Sequence, residues 1–258
     1  MSMTLAGRVA LITGASSGIG AATAELFSKL GAKLAITGRR TEQLNETGKK
    51  CQGPAASETL CFTADVTKET DAKSLVDAVV NKFGRLDILV NSAGVLETGT
   101  IETTSLEQYD RVMNINVRSI YHLTMLCVPL LKESKGSIVN VSSVNGIRSF
   151  AGVLAYNMSK ACVDQFTRCV ALELAGYGVR VNAVNPGVIT TGLQLRGGLS
   201  PEAYAQFLTH SKTTHALGRP GESDEVAQAI AFLASDQASF ITGATLPVDG
   251  GRHAMCPR

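Results

Sequence analysis

The chain has 258 residues, of which 45% are hydrophobic and 18% charged, and its 24 basic and 22 acidic residues leave a formal net charge of +2. The balanced charge, the absence of tryptophan and the lack of basic runs longer than a pair argue against a nucleic-acid partner. No apolar stretch approaches the roughly 20 residues of a membrane span, and no signal peptide is recognisable, so we expect a cytoplasmic protein with no membrane partner.

Short runs rich in Val, Ile and Leu alternate along the chain with longer segments of helical periodicity. The runs predict strands at residues 8–13, 33–37, 59–63, 86–90, 137–141, 179–184 and 244–248. The segments between them predict helices at 18–30 and at about 106–131, 155–175 and 222–233. A further helix is predicted to follow the third strand and to end near residue 82. Strands that are apolar on both faces and separated by helices are typical of a parallel sheet covered on both sides. We therefore predict one α/β domain over residues 1–258.

Residues 190–221 have no clear period and form the longest stretch without a predicted element. Loops of this length in a compact domain are usually lids or binding segments. Several apolar and aromatic side chains in the segment suit an apolar or aromatic ligand better than a sugar phosphate: Leu193, Leu195, Leu199, Tyr204, Phe207 and Leu208. Arg196 would either meet an acidic substrate or face solvent, and His210 and His215 are interpreted as polar lid residues.

The first predicted strand runs directly into the sequence Thr13-Gly14-Ala15-Ser16-Ser17-Gly18-Ile19-Gly20. Gly14 permits a tight turn, Gly18 lets backbone N–H groups approach a pyrophosphate, and Gly20 lets the next helix pack closely on the sheet. The helix N-terminus offers unpaired donors and a positive dipole end, to which Ser16 and Ser17 add hydroxyl donors. An ordinary tight turn would use the same glycines, but the position after the first strand favours a dinucleotide loop.

The end of the second strand, Ile36-Thr37-Gly38-Arg39-Arg40, bears on which dinucleotide is bound. NAD-binding sheets carry a carboxylate at this point for the ribose hydroxyls, whereas an arginine fork pairs with a 2′-phosphate. We therefore predict NADP(H), with Arg39 as the main contact and Arg40 as a second. A solvated arginine pair is the alternative. Asp65-Val66, after the third strand, would cap the next element or bind the adenine amino group.

Tyr156 and Lys160 lie four residues apart in a helical segment, so both side chains share one helix face. Tyrosine ordinarily titrates near a pKa of about 10, and a neighbouring cation such as Lys160 would favour its phenolate. Ser143 ends the fifth strand at the edge where such folds bind ligands, and would donate a hydrogen bond to a carbonyl oxygen. Tyrosine–lysine pairs at this spacing are common on helix surfaces, so the interpretation depends on the serine and the glycine loop together.

These features resemble the short-chain dehydrogenase/reductase family, in its compact subgroup of about 250 residues. The resemblance covers essentially the whole chain and rests on Thr13 to Gly20, Asn91-Ser92-Ala93-Gly94, Asn116, Ser143, Tyr156, Lys160 and Pro186-Gly187. It implies a Rossmann-like doubly wound sheet of about seven strands with helices on both faces. It also implies that Tyr156 is the general acid/base, that Lys160 binds the nicotinamide ribose and that Ser143 steadies the reacting oxygen.

Further roles follow from the same resemblance. The backbone of Asn116 would hold a water in a proton relay to Lys160, although an ordinary polar helix residue is the alternative. Cofactor contacts are expected from two motifs: Asn91, Ala93 and Gly94 in the first, and Pro186, Gly187, Ile189 and Thr191 in the second. Ser92 replaces the family's usual second asparagine but keeps a hydrogen-bonding group. Substrate contacts are expected from Asn145, Phe150 and Leu193, with the lid at about 190–221.

The predicted function is reversible, NADPH-dependent reduction of a ketone to a secondary alcohol. A 3-oxoacyl, steroid or xenobiotic carbonyl compound would be the substrate, and the protein would be a homotetramer or homodimer. A non-catalytic NADP(H)-binding regulatory protein on the same fold is the alternative. The six cysteines, Cys256 included, form no C-x-x-C pair and the four histidines have no ligand-like spacing, so we expect reduced thiols and no metal.

Overall fold

Residues 3–255 are described by a computed structural model, in which seven strands form one parallel sheet. The strands are β1 Val9–Ile12, β2 Lys33–Gly38, β3 Leu60–Thr63, β4 Ile88–Asn91, β5 Ser137–Val141, β6 Arg180–Pro186 and β7 Thr245–Val248. Their order is β3-β2-β1-β4-β5-β6-β7. This confirms the predicted doubly wound sheet, and the predicted strand limits are correct to within two residues.

Nine α-helices are present in residues 3–255. They are α1 Gly18–Lys29, α2 Thr41–Lys50, α3 Glu69–Phe83, α4 Leu106–Met113, α5 Ser119–Ser134, α6 Leu154–Ala175, α7 Leu193–Arg196, α8 Pro201–Thr214 and α9 Ser223–Ala234. The region predicted as one helix at 106–131 is divided by a π-helical turn over Asn114–Arg118 that separates α4 from α5.

Three of these helices were not predicted, because little of their surface is apolar and buried. In α2 only Leu44 and Thr47 are buried, which leaves no hydrophobic period to detect. The segment 190–221 is not a continuous loop, since it contains α7 and α8. The start of α8 is nevertheless legible: Ser200 accepts a hydrogen bond from Ala203 N, and Pro201 occupies the first turn.

The sheet separates two hydrophobic layers, and β1 contributes to both. Ala10 and Ile12 pack with buried residues of α1 and α9, such as Phe27 and Ile230. Val9 and Leu11 face the opposite layer, which is formed with α3, α5 and α6 and includes the residues Leu75, Leu123, Cys127 and Leu174. Because successive strand residues point to opposite faces, a strand apolar at every position is buried on both sides.

The chain order places a crevice at the carboxyl edge of the sheet. From β1 the chain builds outward to β3, then crosses to β4 on the other side of β1. The connections after β1 and β4 therefore leave toward opposite faces of the sheet, and ligands bind at such switch points in open α/β sheets.

Neither a membrane-spanning helix nor a cluster of potential metal ligands occurs within residues 3–255. No helix there is long and apolar enough to cross a membrane. No group of three or more His, Cys, Asp or Glu side chains is positioned to hold a metal ion. Cys51, Cys61, Cys127, Cys162 and Cys169 are free thiols, and Cys256 lies outside the described residues.

Candidate active site

A cleft at the carboxyl edge of the sheet brings together most of the residues predicted for the site. Its walls include Gly14, Ser16, Ser17, Gly18, Ile19, Gly20, Arg39, Arg40, Asp65, Val66, Ala93, Gly94, Ser143, Tyr156, Lys160, Pro186, Gly187, Ile189, Thr191 and Leu193. Ser92, which belongs to the motif after β4, and Arg196, which was considered for an acidic substrate, also line the cleft. The prediction missed further wall residues: Thr37, Gly38, Ala64, Thr67, Val95, Ile115, Val141, Ser142 and Gln194. Most of these adjoin a predicted site residue at a strand end, and that adjacency was the available signal.

The glycine loop after β1 is shaped by a close approach to the segment after β4. Gly14 and Gly18 have φ values of +66° and +55°, which side chains rarely adopt. A Cβ on Gly14 would lie 2.8 Å from Ala93 N, and one on Gly20 would lie 2.5 Å from Gly14 O. Gly20 therefore lets α1 pack against the glycine loop itself. The sequence had suggested close packing against the sheet instead.

Thr13 fixes the same approach with hydrogen bonds. Its Oγ1 accepts from both Ser92 N and Ala93 N at 3.0 Å. Because the backbone of Ser92 makes this bond, the serine in place of the family's asparagine leaves the link intact. Asn91 lies behind the cleft, where its Nδ2 donates to Asn140 Oδ1 at 2.9 Å. Its side chain thus joins β4 to β5 rather than lining the cleft.

The two arginines after β2 have different surroundings. Arg40 Nη2 donates to Ser17 Oγ at 2.8 Å and to Ser16 O at 3.3 Å, which ties it to the glycine loop. Arg39 is exposed beside Asp65 at the edge of the cleft. Burial raises the pKa of Asp65, but hydrogen bonds from Thr67 and the charge of Arg39 outweigh it and hold the pKa below its ordinary value.

Asp65 closes a turn that precedes α3 and does not cap the helix, whose N-cap is Lys68. Its Oδ1 accepts from Thr67 N at 3.1 Å and from Thr67 Oγ1 at 2.8 Å, just before α3 begins. Of the two roles predicted for this carboxylate, capping of the next helix is wrong, because its contacts stay within the turn. Its place in the cleft wall keeps the second role, toward an adenine, as a prediction.

Tyr156 and Lys160 project from α6 into the cleft and are 7% and 4% exposed. Lys160 Nζ donates to Val141 O at 2.8 Å and lies 5.6 Å from the centre of the Tyr156 ring. Burial raises the pKa of Tyr156 to about 12, opposed by a hydrogen bond with Ser143. Burial also lowers the pKa of Lys160 to about 8, opposed by the charge of Asp164.

These shifts decide the protonation state of the cluster. Desolvation raises the pKa of Tyr156, and the hydrogen bond with Ser143 offsets this only in part, so the pKa lowering expected from Lys160 is not found in this arrangement. At neutral pH Tyr156 is a neutral phenol that can donate a proton. Lys160 is mostly protonated, and its Nζ keeps donors beyond the one used on Val141.

Asn116 lies in the π-helical turn, behind the cleft wall rather than in it. Its Nδ2 donates to Val95 O at 2.9 Å and to Ser159 Oγ at 3.0 Å, and its Oδ1 accepts from Val95 N at 2.8 Å. The side chain therefore anchors the segment after β4 to α6, one residue from Lys160. The predicted role of its backbone in a proton relay stays a prediction.

Asn145 and Phe150, predicted as substrate contacts, do not line the cleft. They border an adjoining hollow together with Ile101, Ile147 and Met158. Asn145 Oδ1 accepts from Ser143 Oγ at 3.0 Å, so it orients the serine instead. The Phe150 ring lies under Arg252, with the guanidinium carbon 4.5 Å from the ring centre. Leu193 is the one of the three that forms part of the cleft wall.

His215 is buried and links α8 to the segment after β6 through hydrogen bonds. It is not the polar lid residue that the sequence suggested. Its Nε2 accepts from Val188 N at 3.0 Å, and its Nδ1 lies 2.8 Å from Ser211 O, to which it donates. This tautomer holds the end of α8 against the segment that follows β6. Burial lowers the pKa of His215. The hydrogen bond to Ser211 raises it, but by less, so the pKa stays below its ordinary value.

Known proteins match this chain over nearly its full length. A family profile described as enoyl-(acyl carrier protein) reductase matches residues 14–253. The 3-oxoacyl-(acyl-carrier-protein) reductase of Thermotoga maritima is 41% identical over 251 residues, which is 96% of this chain and 99% of that protein. The 2-(R)-hydroxypropyl-CoM dehydrogenase of Xanthobacter autotrophicus is 38% identical, over 96% of this chain and 99% of its own.

Solved structures agree with these matches. A short-chain dehydrogenase/reductase of unknown function from Caenorhabditis elegans, determined with cofactor, superposes with a TM-score of 0.91 at 34% identity and covers 97% of each chain. The 3-ketoacyl-(acyl-carrier-protein) reductase from Brucella melitensis, complexed with NADH, gives a TM-score of 0.88 at 36% identity. That alignment covers 97% of this chain and 100% of the other.

The buried neutral His215 predicts an acid-sensitive fold. The pKa of His215 is lower in the folded chain than the ordinary 6.5 of the unfolded chain, so below pH 6.5 the unfolded chain is protonated first. The free energy of unfolding therefore falls as the pH drops. The measurement is the free energy of unfolding in urea at pH 7.5 and 5.5. We expect His215→Gln to be less stable than the wild type at pH 7.5, but its free energy of unfolding should decrease less between pH 7.5 and 5.5. His210→Gln, at an exposed position of α8, should keep the wild-type loss. An equal loss in both variants would assign the acid sensitivity to other groups.

Proposed function

The chain belongs to the short-chain dehydrogenase/reductase family of oxidoreductases, and we propose that within it the protein is an NADPH-dependent reductase of ketones. The observation that carries this proposal is the buried cluster of Ser143, Tyr156 and Lys160. It shares one cleft with the glycine loop and with the arginines that follow β2. The reaction is reversible, and the same groups would oxidise a secondary alcohol.

The chain supplies proton transfer and orientation at the reacting carbonyl. Bound NADPH supplies the hydride. Ser143 would turn its hydroxyl from Asn145 Oδ1 to the carbonyl oxygen and donate to it together with Tyr156, which gives up its proton as that oxygen gains charge. The raised pKa of Tyr156 keeps this proton in place until charge develops. Lys160, held by Val141 O, would stabilise the resulting phenolate and bind the nicotinamide ribose.

The residues of the cleft fit a dinucleotide with a 2′-phosphate. The left-handed Gly14 and Gly18 open the backbone before α1 for a pyrophosphate. Arg40 is tied through Nη2 to the glycine loop, where its remaining donors face the cofactor phosphates, and the exposed Arg39 is free to pair with a 2′-phosphate. The nearest carboxylate of the cleft, Asp65, is occupied by Thr67. The Brucella relative was solved with NADH, so the choice of cofactor in this chain is argued from its own residues.

A ketone with an apolar body is the proposed substrate class. Val95, Ile115 and Leu193 give the cleft an apolar wall near the catalytic cluster. The names of relatives cover 3-oxoacyl, cyclopentanol and 2,3-butanediol chemistry, which share a secondary alcohol or its ketone. An NADPH-oxidation screen against ketones, quinones, 3-oxoacyl thioesters and steroids is the test. Failure of every class to oxidise NADPH would favour the regulatory alternative.

We also propose a homo-oligomer in the cytoplasm. Tyr121 and Met125 on α5 and Leu172 on α6 are 60%, 53% and 82% exposed, which is costly for a monomer in water. A symmetric interface between copies of the chain would cover them. Sedimentation would separate a dimer from a tetramer.

Replacing Tyr156 by phenylalanine removes the proposed proton donor and keeps the ring. We expect kcat for ketone reduction to fall by about 10²–10⁴-fold, the usual contribution of a general acid, with NADPH binding within about twofold of the wild type. Tyr177→Phe, at an exposed position outside the cleft, is the control and should leave kcat unchanged. A Tyr156→Phe enzyme that retains most of its turnover would contradict the assigned role.

Replacing Arg39 by alanine tests the proposed cofactor preference. Loss of a charge-assisted bond to a phosphate should raise the Kd of NADPH by about 10- to 100-fold, while the Kd of NADH changes by less than about twofold. Lys50→Ala removes an exposed cation from α2 at a site away from the cleft and should change neither value. Equal losses for both dinucleotides would disprove a 2′-phosphate contact at Arg39.

A further inference from the structure

The short helix α7 places two polar side chains in the cleft that the mechanism does not use. Gln194 is 9% exposed, and Arg196 lies two residues further along the same helix. Both form part of the cleft wall. Neither belongs to the motifs that indicated the cofactor or the catalytic cluster.

Gln194 carries an unsatisfied acceptor. Its Oε1 is buried and has no hydrogen-bond partner among residues 3–255. Buried polar atoms are normally paired, because an unpaired one loses its bonds to water without replacement. An orphaned oxygen in a cleft wall is explained when the ligand brings the missing N–H or O–H donor.

Arg196 is folded back across the start of α7, beside the glycine loop. A Cβ on Gly192 would lie 2.6 Å from Arg196 Nη1, so the guanidinium lies directly over that glycine. The preceding Thr191 in turn lies against Gly18, where a Cβ would be 3.2 Å from Thr191 Cγ2. The guanidinium is therefore close to the turn proposed to hold the cofactor phosphates.

The charges around Arg196 are of one sign. Burial and then the charge of Arg40 lower the pKa of Arg196, which shows that the two guanidinium groups oppose each other. Arg39 adds a third guanidinium group to the same cleft, and Asp65 is engaged by Thr67. Within residues 3–255 the Arg196 guanidinium has no carboxylate partner. A phosphate between Arg40 and Arg196 would turn this repulsion into two attractive pairs.

We propose that α7 is a clamp on the dinucleotide. Arg196 and Arg40 together bind one of its phosphates, and Gln194 Oε1 accepts a hydrogen bond from a hydroxyl or amide N–H of the same molecule. The clamp deepens the proposed function and rests on it, since it requires a dinucleotide in the cleft. It assigns part of the segment interpreted as a substrate lid to the cofactor.

The test of Arg196 is direct titration with NADPH and with NADH. In Arg196→Gln we expect the Kd to rise about tenfold or more, the size of a lost charge-assisted bond. Equal losses for both dinucleotides place Arg196 on the pyrophosphate, and a loss for NADPH alone places it on the 2′-phosphate. Arg196→Lys should fall between, because lysine keeps the charge without the fork. Unchanged Kd values, with or without a raised KM for an acidic substrate, would overturn the clamp.

Lys212→Gln is the matched control for charge, because it removes an exposed cation of α8 that lies outside the cleft. It should leave both Kd values at the wild-type level. The clamp and the cofactor preference are tested by different variants, so either proposal can be disproved without the other. If Arg39→Ala weakens NADPH and NADH equally while Arg196→Gln still weakens both, the clamp stands and the NADP preference is lost.

Gln194→Met tests the orphaned oxygen by replacing it with an apolar group of similar shape. Since no bond in the free protein is lost, the Tm of the free protein should stay the same or rise. The Kd of NADPH should rise by about 3- to 10-fold, the size of a neutral hydrogen bond. Gln206→Met, at an exposed position of α8, should change neither. A lower Tm, or an unchanged Kd, would overturn the role of Gln194.

Discussion

The ligand-binding edge of this protein depends on the close approach of two backbone segments, the glycine loop after β1 and the turn after β4. They approach closely enough that a single methyl group on Gly14 would collide with the backbone of Ala93. Thr13 fixes the distance by accepting from two successive N–H groups of the opposite segment. One face of the crevice is thereby built from backbone, which leaves the N–H groups at the start of α1 free for an anion.

The catalytic cluster is positioned by the same sheet but depends on burial. α6 packs against β6, and Tyr156 and Lys160 near its start are almost completely buried. Exclusion of water raises the pKa of the phenol and lowers that of the amine, so each group is shifted toward its neutral form. A neutral phenol is the state that a general acid needs before the reaction. A lysine with a pKa near 8 keeps its charge at neutral pH and can still respond to a nearby anion.

The sequence predicted those parts of the fold that are buried on two sides and missed those that are not. The strands could be located because every position in β1, β4 and β5 is buried and apolar residues dominate them. α2 and α8 were missed because most of their side chains face outward and leave no period. The site residues at strand ends were predicted from local motifs. The position of Phe150 in the adjoining hollow was not predicted, because the sequence after β5 does not specify the direction in which the chain turns.

The catalytic residues identified by the family resemblance and the residues proposed to select the cofactor lie at opposite ends of the cleft. Proton transfer is assigned to side chains on α6 and at the end of β5, which the family resemblance identifies residue by residue. Cofactor choice is assigned to the far end, where Arg39, Arg40 and Arg196 converge from β2 and α7. We expect changes there to affect which phosphate is bound and to leave the proposed catalytic hydroxyls in place. The charge of Arg40 opposes that of Arg196, and Arg39 adds a third guanidinium to the same wall, where Asp65 is engaged by Thr67. On the proposed function, the choice of dinucleotide in this chain is therefore an electrostatic one.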